Sequence, residues 1–490
     1  MELNFGIVEG LPDEEQRQLR ELKYIYDYHR TTNRKKRRYY NGKITLQEVN
    51  LGIALPYGIR RLQIGCSWGA KTVDVLAARS MFDGFVTENG TKSEHMDAIM
   101  RRNHLIAEYN KAVKEELKYG CAFAAVSGKE KNARVRFYSP HCAAASWDAA
   151  EGRIKCGFAF EDDRRDESDI TWSPEHVNFY TETAIWVLDR EGGHWHATEY
   201  PHKFGEPLMV ALTWDATNDK PFGQSRLKEP VRRLIEGYVR TVANATIGLE
   251  FATSPQKYLL GITDEQYDVL IDNKFKQYVG SVLLGTTNPE TGEKPSFGQL
   301  TQGNIEPHVQ MLRMLATQYS AATGLAVTDV GVVNDANPTS SEAIIAQSQT
   351  LILMAEQLNR TNGDALYRIG KMALAIELGS TPGELPDNEK EIIAHFKNPA
   401  MPSVASTTDA ALKIATAREG FAQTDIFLEM IGFDQADIRR IRAQEQRAKG
   451  SNILTEEFDD ENIDESMGAV HNKNVQNQPE SGGSNAGVGA

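Results

Sequence analysis

The chain has 490 residues, 40% apolar and 25% charged, with a formal charge of −14; this is the composition of a globular protein too long for one core, so two or more structural units are expected. No run approaches the ~18 apolar residues of a membrane span, and Met1-Glu2-Leu3-Asn4-Phe5 lacks the basic and apolar regions of a secretory signal. Cys66, Cys121, Cys142 and Cys156 show no CxxC spacing, which argues against a zinc or redox motif and for reduced thiols in a cytosolic setting. Residues 451–490 hold eight acidic residues and one lysine, so half of the net charge sits there. The remainder has no basic excess of the kind that grips DNA through its phosphates, so any nucleic acid is expected to be contacted loosely.

In chain order, 13–40 is predicted as a helix from Leu19, Leu22, Ile25 and Tyr26, recurring at three- and four-residue steps. It ends in the basic run Arg34-Lys35-Lys36-Arg37-Arg38, read as a solvated helix end whose cations suit the C-terminal dipole. Helices are predicted over 67–80 and, as one element, over 93–119, closed by Gly120. From 121 to 214 the texture changes to alternation, with strands expected over 123–126, 134–137, 153–158, 184–188 and 195–198. Helices first and a largely antiparallel sheet after them make an α+β unit.

A long helix is predicted from 225 to 250, with Leu227, Val231, Leu234, Tyr238, Val242, Ala245 and Leu249 as its apolar stripe. Pro230 fits only its first turn, so regular helix can start there. Residues 254–303 then form a small insertion: a strand at 257–260, a helix at 264–277, a strand at 282–284 and a turn at 288–292. A second long helix follows over 305–322, with Val309, Leu312, Leu315 and Tyr319 on one face.

The connection 324–338 is the most unusual segment. A loop of ~15 residues without structure of its own is functional or disordered, and four valines argue against a solvated linker. It is expected to be touched by something outside the subunit's own core. Thr339 and Glu342 then make a capping box for a helix running to 378, weakened at Gly363 and Gly370. Pro382, Pro386, Pro399 and Pro402 mark a linker, helices are predicted over 409–419 and 434–449, and the last forty residues are expected to be disordered.

Motifs with chemistry are few. Gly65-Cys66-Ser67-Trp68-Gly69 fits the GxSxG nucleophile elbow, which needs a buried strand before the serine; Arg60-Arg61-Leu62-Gln63-Ile64 is too charged for one. His194-Trp195-His196 is a lone HxH pair, and Glu161 to Glu167 mixes charges as a solvated loop does. There is no GxxxxGK[ST], HExxH or EF-hand pattern. No catalytic, cofactor or metal residue is therefore assigned, and the chain is not expected to be an enzyme.

Across 20–425 the chain resembles the portal proteins of tailed bacteriophages, in particular the siphophage subgroup common among phages of Gram-positive hosts. The resemblance rests on Tyr39-Tyr40-Asn41-Gly42, Asn50-Leu51-Gly52-Ile53, Trp68-Gly69-Ala70-Lys71-Thr72-Val73-Asp74 with Ala78-Arg79-Ser80, and Phe82-Asp83-Gly84-Phe85. It continues through Tyr119-Gly120-Cys121-Ala122-Phe123, Pro221-Phe222-Gly223-Gln224-Ser225-Arg226-Leu227, Pro255-Gln256-Lys257-Tyr258, Gly261, Thr323-Gly324-Leu325 and Asn337-Pro338-Thr339-Ser340-Ser341-Glu342-Ala343.

The resemblance implies a ring-forming α+β subunit: an α/β wing (1–220), stem helices at 221–253 and 304–323, a small α/β clip insertion (254–303), a tunnel loop (324–338), a long wing helix and linker (339–399) and a helical C-terminal crown (400–450). It implies a twelvefold homo-oligomer at one capsid vertex of the virion, assembled in the host cytoplasm, through which double-stranded DNA is packaged and ejected. The tunnel-loop residues facing DNA would be Thr328, Asp329, Val330, Gly331, Val332, Val333, Asn334 and Asp335, the two aspartates repelling phosphate. Clip residues Asp264, Gln266, Tyr267, Lys274, Lys276, Asn288 and Glu290 would dock the terminase large subunit and later the head–tail adaptor. Major capsid and scaffolding proteins are further implied partners; no cofactor and no membrane are. Two alternatives stay open: a serine hydrolase using Ser67, and a helix-turn-helix DNA binder using 426–442 with the 34–38 run.

Overall fold

A computed structural model describes residues 3–44, 64–87, 93–161, 173–253, 257–260, 296–299, 304–331, 341–400, 404–433 and 437–448, with 287, 292 and 294 singly. Two compact units divide the chain, Met1–Ala400 and Met401–Ala490.

In the first unit, helix α1 (Asp13–Tyr40) has three acids in its first turn and Arg37 and Arg38 in its last, the arrangement its dipole favours. Its Leu19, Leu22 and Tyr26 are buried against a six-stranded sheet of order β1-β9-β8-β7-β6-β5. The strands are β1 (Val8–Glu9), β5 (Ala143–Asp148), β6 (Arg153–Phe160), β7 (His176–Tyr180), β8 (Ala184–Glu191) and β9 (His194–Pro201). All pairings are antiparallel except β1 with β9. Alternate residues such as Phe158, Phe160, Trp186 and Leu188 pack under α1 with Leu3 and Phe5, as period-two alternation requires.

The larger core joins α2 (Trp68–Ala77), α4 (Leu105–Tyr119), the antiparallel sheet β10-β3-β4 (β3 Cys121–Lys129, β4 Asn132–Tyr138, β10 Met209–Thr213) and the 37-residue helix α7 (Ser341–Glu377). The expected 93–119 helix is two helices, α3 (Glu94–Asn103) and α4. The break is His104, left-handed at φ 49°. Asn103 makes it useful: its amide donates to the Ile99 and Ala133 carbonyls and accepts from Val135 N, closing part of the β4 edge.

The proline-rich stretch over 382–400 is not a bare linker. It carries β13 (Ile392–Phe396), which pairs antiparallel with β2 (Phe82–Thr87). Helix α7 runs unbroken through Gly370 because that glycine lets β13 close in; a Cβ there would sit 2.6 Å from Ile392 Cδ1. At the end of α7, Arg102 forks onto Glu377 at 2.7 and 3.0 Å, and Ala133 N donates to the same carboxylate.

The two long helices expected around the insertion are α5 (Glu229–Thr253) and α6 (Glu306–Thr323), packed on one another. The buried face of α5 is Val231, Ile235, Val239 and Ala243, led by Leu227 just before the helix and one step around from the expected stripe; Leu234 and Val242 are half-buried and Leu249 is exposed. Of the insertion, the structure describes the antiparallel ribbon of β11 (Lys257–Leu260) and β12 (Ser296–Gln299). The expected 264–277 helix and 282–284 strand lie outside the described residues. The second unit contains α8 (Val404–Ala417), α9 (Asp425–Met430) and a helix over 437–448, with Arg442 Nε on Asp425 at 2.7 Å. The 451–490 tail lies outside the described residues.

Candidate functional site

The α5–α6 hairpin is gripped at one end only. The last buried residue described on α5 is Ala243 and the first on α6 is Leu315, so among the described residues the insertion-side halves of both helices have no core around them. Val309, Met311 and Met314 on α6 and Leu249 on α5 are solvent-facing there. About ten residues on each helix at 1.5 Å each make a projection of about 15 Å.

At the gripped end everything converges on Trp68, the first residue of α2. Its ring lies 4.3 Å (centroid to centroid) from Tyr238 of α5 and 4.7 Å from Tyr319 of α6. Its indole Nε1 donates to the Val330 carbonyl at 3.2 Å. The Tyr319 hydroxyl donates back to the Trp68 carbonyl at 2.9 Å and shares a short hydrogen bond with Thr72. Burial raises the Tyr319 phenol far above its ordinary range, so it stays a neutral hydrogen-bonding group.

Arg226 completes the junction. It is 7% exposed, and its guanidinium donates from Nε to the Thr72 carbonyl (2.7 Å) and from Nη2 to the Thr323 carbonyl (2.6 Å). Thr323 is the last residue of α6, where a helix leaves carbonyls unpaired. Burial lowers the Arg226 pKa to about 10, which still leaves it charged at neutral pH. Among the described residues no carboxylate pairs with it; carbonyl dipoles and the face of Trp214 at 5.6 Å surround the charge. From the other side, the Tyr39 hydroxyl at the end of α1 donates to Glu236 of α5.

The loop is partly an element of this core. Val327–Val330 is a 3-10 helix closed by Gly331 in the left-handed region, and Leu325 and Val330 are 2% and 6% exposed. The expectation that something outside the subunit covers the loop is therefore wrong for its first half: Val330 points inward and its carbonyl is held by Trp68. Thr328 and Gly331 are exposed and Asp329 is half-buried. Val332, Val333, Asn334 and Asp335 lie outside the described residues, as do all seven clip residues, Asp264, Gln266, Tyr267, Lys274, Lys276, Asn288 and Glu290.

The GxSxG match has a packing explanation. Ser67 only precedes α2, with no strand over 64–66; Trp68 is the junction, and Gly69 is where the Tyr39 backbone carbonyl presses too close for a Cβ. His196 bonds Glu9 at 3.1 Å, and no group of three metal-capable side chains occurs among the described residues. The 34–38 run is not simply solvated either: Lys36 turns in to donate to the Tyr119 carbonyl at 2.7 Å. Among the described residues no helix is long and apolar enough to cross a membrane. Arg226 and Thr72 carry no signal in periodicity or composition; their only trace in the sequence is that 221–227 and 68–74 are among the segments that carry the portal resemblance.

The portal protein of Mycobacterium phage D29 is 21% identical over 420 residues, covering 82% of this chain and 84% of that one. Solved structures of a gene transfer agent contain similar chains: its native virion (15% identity, 75% and 89% coverage, TM-score 0.44) and the neck of its empty particle (14%, 72% and 87%, 0.45). The family model described as phage portal protein, SPP1 Gp6-like, matches residues 19–451. With a match over most of its length, the chain belongs to the phage portal protein family.

Proposed function

We propose that this portal protein is a subunit of a twelvefold ring at one capsid vertex, forming the channel through which double-stranded DNA enters and leaves the virion. The observation that carries this reading is the α5–α6 hairpin, anchored at Trp68 and bare at its far half. A closed ring uses heterologous contacts, so each subunit needs two different faces for its neighbours. The hairpin has them: Met311 and Met314 on one side of α6, and on α5 the half-covered Leu234, Val242 and Ala245 with the exposed Leu249.

The exposed strip Gln310, Arg313 and Thr317 is polar with a single cation, suited to face the channel. DNA affinity grows with each phosphate neutralised, and a duplex that must slide is served by few such contacts. The residues after Gly331 would extend toward that DNA, with Val330 as their buried root. The terminase large subunit and head–tail adaptor would dock at the far tip, where Leu260 and Phe297 of the β11–β12 ribbon are exposed; capsid and scaffolding proteins would meet the wing. The role is a structural one, with ATP hydrolysis supplied by the motor, in keeping with the missing GxxxxGK[ST] pattern. Light scattering on the purified chain tests the assembly. A particle of about twelve 54.6 kDa subunits is expected, and a 54.6 kDa species at every concentration and salt would refute it.

A further inference from the structure

Between α1 and the two wing sheets lies a cavity of about 140 Å³, whose lining includes none of the hairpin or loop residues assigned to the proposed ring and channel. One wall is polar and comes from a single helix face: His29, Asn33 and Lys36 of α1, spaced at four and three residues. The opposite wall is apolar, with Phe123, Phe222 and Ala145. Asn33 is 4% exposed, yet among the described residues its side-chain amide has no hydrogen-bond partner. The amide faces the accessible space of the cavity, where a guest or a water can bond it. Lys36 meets the cavity with one hydrogen-bond acceptor, the Tyr119 carbonyl, and among the described residues no carboxylate lines the space.

The volume is close to the ~150 Å³ of an engineered apolar cavity that takes up benzene. Here one end carries an ammonium and an unpaired amide, so the complementary guest has an anionic head and a flat apolar body. We propose that this wing cavity is a binding site for a compact organic carboxylate, its carboxylate on Lys36 and Asn33 and its apolar body against the joined surface of Phe123 and Phe222, whose rings meet edge to face at 5.8 Å. His29, exposed at the mouth, would border the entry.

Protonation sets the expected pH response. Burial lowers the Lys36 pKa to about 8; Arg232 on α5 lowers it further, and Cys121 on β3 acts against them. Tyr119 on α4 and Tyr26 and His29 on α1 are the other titratable groups on the wall. Cys121 and Tyr119 are both pushed up by burial and stay neutral at the pH of interest. An anion needs Lys36 charged, so its affinity falls as pH rises through about 8.

The test is calorimetric titration of the full-length assembly with benzoate, and with benzyl alcohol as the neutral probe. Saturable benzoate binding is expected, weaker by about tenfold or more for benzyl alcohol and for Lys36→Met. Asn33→Leu keeps nearly the same shape but removes the amide, and should weaken benzoate binding about tenfold without lowering the melting temperature. No binding of benzoate, equal or tighter binding of benzyl alcohol, or benzoate binding unweakened by Asn33→Leu each overturns the proposal. Because Asn33→Leu and the neutral probe leave Lys36 in place, the outcome is decisive even if Lys36→Met folds poorly.

Discussion

The Trp68 indole donates to the Val330 carbonyl across 3.2 Å, although 262 positions separate the two residues. That one bond joins the start of α2 to the root of the loop, and the same indole ring rests on both hairpin helices. Loop, hairpin and wing therefore share a single buried contact, and a displacement of any one is felt by the others.

Trp68→Phe keeps the ring and deletes the bond to Val330, so a loss of about 1 kcal/mol is expected. Trp68→Ala also empties the space between Tyr238 and Tyr319 and should cost about 3–5 kcal/mol. Denaturant titration of both variants measures the difference. Equal effects would mean that the ring packing contributes nothing.

Val330→Asp places a carboxylate where the side chain is buried, at a cost of roughly 3 kcal/mol or more. The variant is expected to fold poorly and to lose assembly along with stability. It therefore cannot report on DNA contact. Substitutions at Val332 and beyond are the ones to combine with packaging assays, and the thermal melt of Val330→Asp decides whether this division is right.

Arg226→Lys keeps the charge but cannot fork to carbonyls on two helices. With the Thr323 carbonyl at the end of α6 left unpaired, about 2 kcal/mol or more should be lost. Hydrogen exchange should show the last turn of α6 opening first; unchanged protection there would contradict the assignment.

Glu116 supplies a pH test. It is fully buried, accepts from Asn362 Nδ2 at 2.8 Å, and its second oxygen has no donor among the described residues. Burial pushes its pKa up from an ordinary 4.5 to about 8. The native state thus holds this proton more tightly than the unfolded chain does. The associated stability is complete below about 4.5 and is lost as pH rises toward about 8. Glu116→Gln should remove that slope between the two values; parallel stability–pH curves for the two proteins would refute it.

Much of this fold is legible in the sequence because periodicity reports local burial. Helix α1, the hairpin helices, α7 and strands β3, β4, β6, β8 and β9 follow from it directly; β5, β7 and β10 do not. What stays hidden depends on distant partners. The strand Ile392–Phe396 sits between prolines and gains its identity only from Phe82–Thr87, some 300 residues earlier. The break at His104 has no glycine or proline to announce it, since it is Asn103 bonding to β4 that ends the helix. In the loop, the valines signal burial without saying against what; for Val330 the answer is the subunit's own core, while Val332 and Val333 lie outside the described residues. Trp68 lies inside a catalytic-looking motif, where only three dimensions separate a packing role from a nucleophile's neighbour.

Met311→Glu with Met314→Glu probes the bare part of the hairpin. Both side chains are exposed in the subunit, so its own stability should change by no more than about 0.5 kcal/mol. Ring assembly should be lost, because the charges would be buried against a neighbour without partners. A sizing column read beside a thermal melt separates the two effects.

The most direct measurement is end-on electron-microscope imaging of the purified wild-type protein. Closed rings with a central channel wide enough for duplex DNA are expected, and they should be absent in the Met311/Met314 double variant. Discrete single subunits in the wild-type sample, or rings that persist unchanged in the double variant, would contradict the assignment of this hairpin to a ring-forming channel.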